Sequence, residues 1–318
     1  MKALIALLAA LLAASLAHGQ AWPSKPVRVV VSLPAGSATD IVGRAVAERL
    51  SAQLGQPFVV ENRVGASGSI AQSLVAKADP DGYTLLVFSS SATVVPSTVP
   101  NLSFDVVRDF AGITMLANNP NALAVNLQRG FKSVKDLVTY AKANPGKLNY
   151  ATIGSGSATH LNAERFRLAA GLEAQQVPYK GTAEALTDLI AGRVDYCFCP
   201  ISNVLPMAKE GKVGMLAVGS SRRASGAPDT PTTEEAGVPN SAYNFYVGMS
   251  VPAKVPRDIV NRLHAEVVKA LNSPELKERY ARLSVDAQLF TPEQFDAYLK
   301  DEVVANAALV KAAGIKAQ

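Results

Sequence analysis

Residues 27–54 read VRVVVSLPAGSATDIVGRAVAERLSAQL, and this stretch decides the fold class. Val27–Ser32 is valine-rich and predicts a strand. Pro34–Asp40 carries turn formers, and Ile41–Leu54 predicts a helix because Val42, Val46, Leu50 and Leu54 recur at helical spacing. A strand that feeds a helix through so short a turn is the repeating unit of a parallel sheet covered by helices. The same alternation continues downstream. Gly55, Gln56 and Pro57 stop the helix, Phe58–Glu61 predicts a second strand, and a loop holds Gly65 and Gly68. A helix then runs to about Ala78, and Thr84–Phe88 predicts a third strand after the turn Asp79-Pro80-Asp81-Gly82.

A second series begins beyond Asn118, Asn119 and Pro120. Ser133 caps a predicted helix Val134–Ala143, which Asn144, Pro145 and Gly146 stop. Strands follow at Leu148–Thr152, Gln175–Val177, Val194–Phe198 and Met215–Val218, with helices at Leu161–Ala170 and Ala183–Ala191. Residues 222–239, rich in Pro, Thr, Ser and Gly, read as irregular surface chain. A last strand over Phe245–Val251 precedes helices at Arg257–Leu271, Pro274–Leu283 and Pro292–Lys311, where Pro274 and Pro292 suit first-turn positions. The expectation is an α/β chain of mostly parallel sheets flanked by helices.

Lys2 followed by an apolar run from Ala3 to Ala17, ending in small residues before Trp22, reads as a secretory signal peptide over 1–19. Cleavage after Ala17 is the alternative to cleavage after Gly19. A run of about fifteen residues is short of the roughly twenty that span a bilayer, so no direct membrane insertion is expected. No Cys follows the run, which disfavours a lipid anchor, and a freely diffusing periplasmic protein is expected. About 300 residues then remain, enough for two domains of ordinary size. With 48% hydrophobic and 18% charged residues the chain has ample core and is not disordered. Its net charge of +5 is scattered rather than gathered into a stripe, which argues against nucleic-acid binding.

The only cysteines, Cys197 and Cys199, fall within a predicted strand and so share a face. Bridging residues at that spacing requires strained geometry, and the pair is short of a zinc site; they are read as small buried side chains without a disulfide. No metal and no cofactor are expected.

Two turns stand out, Pro34-Ala35-Gly36-Ser37-Ala38-Thr39-Asp40 and Gly154-Ser155-Gly156-Ser157-Ala158-Thr159-His160, because each opens into a helix. A helix N-terminus presents unpaired N–H groups and the positive end of a dipole to an anion. The Ser and Thr hydroxyls either donate to that anion or simply cap the helices, and for one turn alone capping suffices. Two such turns facing each other across a cleft would hold one anion from both sides. His160 has no acid or thiol partner at a readable spacing, so a helix-start histidine bonded to its own turn is expected rather than a proton carrier. Neither turn has the G-x-S-x-G order of a hydrolase nucleophile, and the Gly65/Gly68 loop lacks the spacing of a dinucleotide or phosphate loop. The chain is not expected to be an enzyme.

The motifs resemble those of the Bug (Bordetella uptake gene) solute receptors of tripartite tricarboxylate transporters. They run from Trp22-Pro23-Ser24-Lys25-Pro26 through Pro34-Ala35-Gly36 with Thr39-Asp40, Glu61-Asn62-Arg63 and Asp81-Gly82-Tyr83-Thr84-Leu85. They continue through Asn144-Pro145-Gly146-Lys147, Val177-Pro178-Tyr179-Lys180-Gly181 and Leu186-Thr187-Asp188-Leu189. The resemblance implies a two-domain type II periplasmic binding protein of Venus-flytrap form, with two chain crossings and a ligand cleft between domains. The division expected is residues 20–120 plus 245–318 and residues 121–244. It implies carboxylate binding by Pro34, Ala35, Gly36, Ser37 and Asp40, and by Gly154, Ser155, Gly156, Ser157, Thr159 and His160, for separate membrane transporter subunits; a monomer is the default expectation. A receptor that presents its liganded form to a membrane sensor kinase is the second reading. The chain departs from the family pattern at Leu33, where an aromatic residue is common, at Ser37, where a second glycine is common, and at Cys199, where an acid often stands. The last departure points to a non-amino mono- or dicarboxylate, aromatic acids included.

Overall fold

The structure, a computed structural model, describes residues 22–154 and 156–315; the predicted signal segment and Ser155 lie outside the described residues. In chain order the elements are β1 (Val27–Val31), α1 (Ala38–Leu54), β2 (Phe58–Asn62), α2 (Ser69–Ala76), β3 (Thr84–Ser89), the short α3 (Val95–Thr98), β4 (Phe110–Asn118) and β5 (Asn121–Val125). Then come α4 (Val134–Ala143), β6 (Leu148–Thr152), α5 (Ala158–Ala170), β7 (Ala174–Pro178), α6 (Thr182–Ile190), β8 (Tyr196–Pro200), α7 (Ile201–Lys209) and β9 (Gly214–Val218). The chain ends with β10 (Tyr246–Pro252), α8 (Arg257–Leu271), α9 (Pro274–Leu283) and α10 (Pro292–Ala312).

The strands form two five-stranded sheets, ordered β2-β1-β3-β10-β4 and β7-β6-β8-β5-β9. In the first, β10 runs antiparallel to both its neighbours, so the other strands share one direction; in the second, β5 is the reversed strand. Each sheet is buried on both faces, as a helix-covered sheet must be. Val27, Val29, Val31, Leu85 and Val87 join one core cluster, while Val30, Leu86 and Phe88 join the other. In the second sheet Ala122, Ala124, Cys197 and Cys199 lie on one face and Leu123, Val125, Tyr196 and Phe198 on the other.

The chain passes between sheets twice, from β4 to β5 and again between β9 and β10. Helix α10, started by a Thr291/Gln294 capping box with Pro292 in its first turn, packs on β4 and also reaches α5 of the second lobe. There Leu309 and Val310 join Val94, Leu161, Tyr243 and Phe245 in a core shared by the two lobes.

Four of these elements escape the sequence reading: the short α3, β4, β5 and α7. Both strands are almost wholly buried and so lack the period-two alternation that marks a half-exposed strand, and α7 follows Pro200 and contains Pro206. One expectation is corrected. Cys197 and Cys199 are fully buried, but their sulfurs are joined in a disulfide. Neighbours two apart in a strand point the same way, and here their Cα atoms lie 5.7 Å apart, within the span of a disulfide.

Candidate functional site

The turn after β1 is held by a hydrogen-bond network that begins at Asp40. Gly36 has φ +80°, a conformation open to glycine at no steric cost, and its N–H donates to Asp40 Oδ2 at 2.9 Å. Arg44 Nε donates to both carboxylate oxygens at 3.0 Å, and Asn62 Nδ2 donates to Oδ1 at 2.8 Å and to the Leu33 carbonyl at 2.9 Å. Burial pushes the Asp40 carboxyl up, but the donors Arg44, Gly36 and Asn62 and the charge of Arg44 together hold it below its ordinary value. Ser37 caps α1 by accepting from the Asp40 N–H at 3.2 Å.

The turn after β6 repeats this design with different side chains. Gly156 has φ +71°, and its N–H donates to His160 Nδ1 at 3.0 Å; Ser157 caps α5 by accepting from the His160 N–H at 3.2 Å. The cap residues match closely, with φ/ψ of −68°/158° at Ser37 and −70°/161° at Ser157. His160 therefore stands where Asp40 stands in the first turn. Burial is the main influence on it and lowers its pKa, against the raising effect of Glu164, with Arg167 lowering it further. An Nδ1 that accepts from a backbone N–H is unprotonated, so the imidazole is neutral and bonded to its own turn.

The hydroxyls differ between the turns. Ser157 Oγ donates to the Gly154 carbonyl at 2.9 Å, and Thr159 Oγ1 accepts from the Ile153 N–H at 3.0 Å and lies 2.9 Å from Ser157 Oγ. With the Ser157 proton on Gly154, Thr159 is the donor of that last pair, and both hydroxyls are committed to the loop. In the first turn the buried Thr39 hydroxyl has no partner among the described residues, and Ser37 only accepts, leaving its proton available.

Both turns face one cavity of about 740 Å³ between the two sheets. Of the residues expected at the site, Pro34, Gly36, Ser37, Gly154, Ser157 and Thr159 line it. Asp40 and His160 are buried behind their loops and bonded back to the glycine N–H groups, which holds each turn in shape. Gly156 packs against Thr98 of the other lobe, and Ala35 is exposed off the cavity wall. Ser155 lies outside the described residues.

The sequence reading missed lining residues at the ends of other strands: Ser89 and Ser91 at the end of β3 and just past it, Gly181 and Thr182 at the start of α6, Ser202 and Asn203 in the first turn of α7, and Asn119 and Asn121 at the first crossing. The signal that finds them is topological, since ligands in open α/β sheets lie beyond the carboxyl ends of the strands. Helices α1, α5, α6 and α7 thus all start at the cavity. The last two lack a side-chain cap at Gly181 and Pro200; the Ile201 N–H of α7 donates to the Pro120 carbonyl, and the other first-turn N–H groups are left for other acceptors. Lys180 is the one charged residue among those lining the cavity. The electrostatics favour a small anion held by backbone dipoles and hydroxyls.

Two α/β lobes, joined by two crossings and enclosing such a cavity, define a two-lobed solute-binding fold. The chain belongs to the TctC family, described as the tripartite tricarboxylate transporter family receptor, whose pattern matches residues 42–315. It is 33% identical to protein BugT of Bordetella pertussis over 297 residues, 93% of this chain and 91% of that protein. The solved structure of the periplasmic binding protein BugD is 33% identical with a TM-score of 0.79, covering 93% of this chain and 100% of that one. The structure of R. palustris Rpa4515 with adipate is 32% identical with a TM-score of 0.82, covering 93% of this chain and 100% of that one.

Proposed function

We propose that this protein is a periplasmic receptor, secreted by a cleaved signal peptide, that captures a small organic carboxylate between its lobes for the membrane subunits of a tripartite tricarboxylate transporter. The ligand is a mono- or dicarboxylate, aromatic acids included, and the protein works as a monomer without catalysis. The lobes that close on it are residues 20–120 with 245–318 and residues 121–244. One observation carries this reading: two turns of matching geometry, one from each sheet, face the same cavity with helix N-termini behind them. The adipate of Rpa4515 supports a carboxylate as the ligand class. In the proposed site Ser37 and Thr39 donate hydroxyl protons to one carboxylate, while Gly154 and its neighbours approach it from the second lobe.

A thermal-shift panel of mono-, di- and tricarboxylates, amino acids and aromatic acids tests the proposal. A ligand at about a hundred times its Kd stabilises the fold by about 2.7 kcal/mol. That corresponds to a rise in Tm of roughly 4 °C for a chain of this size. A saturable rise with one class of acid is expected. Rises with amino acids alone would contradict the non-amino assignment, and no rise with any acid in folded, ligand-free protein would contradict the receptor reading.

A further inference from the structure

Asn119 and Asn121 flank Pro120 in the first crossing between the lobes, and both line the cavity. Each has 0% exposure, and none of their four side-chain polar atoms has a hydrogen-bond partner among the described residues. Of the other described residues lining the cavity, Thr39 has one buried hydroxyl without a partner, whereas four such atoms gather at the crossing.

The backbone beneath them is pinned from three directions. The Asn119 N–H donates to the Phe245 carbonyl at 2.8 Å, the Pro120 carbonyl accepts from the Ile201 N–H at 3.0 Å, and the Asn121 carbonyl accepts from the Gly219 N–H at 2.7 Å. These bonds tie the first crossing to both ends of the returning chain, so the two amides are held at a fixed place in the cleft. A buried amide left unpaired costs about 1–3 kcal/mol, so these atoms call for a partner that the protein itself does not supply.

We propose that Asn119 and Asn121 form a second polar subsite that receives the far end of the ligand, and that this end is a neutral group which both donates and accepts hydrogen bonds, a hydroxyl or a carboxamide. The inference rests on the receptor reading above and narrows its substrate class. Each amide offers a donor and an acceptor side by side. A hydroxyl or carboxamide can satisfy both. A second carboxylate only accepts, so it would leave both Oδ1 atoms unpaired beside a negative charge. Among the described residues lining the cavity there is no Asp, Glu or Arg, and Lys180 sits on an exposed segment before α6.

Calorimetry on the processed protein tests this with short straight-chain alkanoates, their ω-hydroxy and ω-carboxamide counterparts, and the α,ω-dicarboxylates of equal length. A site built to hydrogen-bond a substrate group rejects analogues that lack it far more strongly than an apolar pocket rejects a size change. The wild type is therefore expected to bind one ω-hydroxy or ω-carboxamide acid at least about tenfold more tightly than the matching alkanoate and the matching diacid. In Asn119→Leu and Asn121→Leu, which keep the side-chain shape, that ratio should fall toward one while alkanoate affinity is retained. Should either variant fail to fold, Asn119→Ser and Asn121→Ser and the wild-type ratio itself still decide. A diacid bound as tightly as the neutral-ended acid, or a ratio unchanged in the variants, overturns the subsite alone. Absence of binding to every acid in the series overturns the subsite as stated, and only the absence of any thermal shift across the wider acid panel overturns the receptor reading with it.

Discussion

Gly36→Leu is expected to weaken carboxylate binding by about a hundredfold or more while lowering stability by only about 1–2 kcal/mol. The stability figure follows from the backbone: Gly36 has φ +80°, and a side chain there carries the left-handed strain of about 1–2 kcal/mol. Apart from its chain neighbours, no protein atom lies within 4 Å of a Cβ built at this position, so the Cβ itself meets no clash in the folded protein. Gly36 lines the cavity, however, and a leucine side chain takes the space a ligand needs. A hundredfold loss is about 2.7 kcal/mol, more than the strain alone. Calorimetry beside urea denaturation separates the two quantities. Unchanged affinity would remove the first turn from the binding site.

Asp40→Ala has a different signature, because Asp40 acts through the turn and not on the ligand. The substitution leaves the Gly36 N–H and a donor of Asn62 without their acceptor, and Arg44 without its charge partner, though still bonded to Asn62 Oδ1. Breaking a buried pair costs about 3–5 kcal/mol, but Arg44 is nearly half exposed and can turn to water, so a loss of about 2–3 kcal/mol is expected. Affinity should fall about tenfold or more as the turn loses its order. The pH dependence identifies the cause. The folded-state pKa of Asp40 is lowered, so its charge contributes stability that is present above the unfolded value and is lost as pH falls through the folded one. The deficit of Asp40→Ala should thus be constant from about pH 5 to 8 and shrink below about pH 3.9. A deficit that persists undiminished in acid would assign the effect to packing.

The contrast between the two turns shows what the sequence can express. Ser37 and Ser157 are readable as caps because N-cap chemistry is local, and both turns were expected to face one ligand. What Asp40 and His160 do is not local in the same sense. Each folds back onto a glycine N–H four residues earlier, so a residue that resembles a ligand contact is the brace of its own loop. The Glu61-Asn62-Arg63 motif carries no visible chemistry in the sequence, yet Asn62 binds both Asp40 and the Leu33 carbonyl across a parallel strand pair.

Asn119 and Asn121 were legible only as punctuation before a new series of elements. Their placement on the cavity wall depends on hydrogen bonds to Phe245 and Gly219, about a hundred residues away, which no short-range pattern encodes. The buried strands β4 and β5 are hidden for a related reason: burial on both faces erases the alternation that betrays a strand. Cys197 and Cys199 were placed correctly on one buried face, but whether their sulfurs join depends on local Cα spacing that the two-residue interval leaves open.

A crystal structure of the processed protein, soaked or co-crystallised with the tightest-binding acid of the panel, tests the central claim most directly. The expected result is one carboxylate within hydrogen-bonding distance of both turns, with Ser37 and Thr39 on one side and the Gly154–Thr159 segment on the other. An acid bound outside this cleft, or held by one turn with the other more than a water's width away, would contradict it.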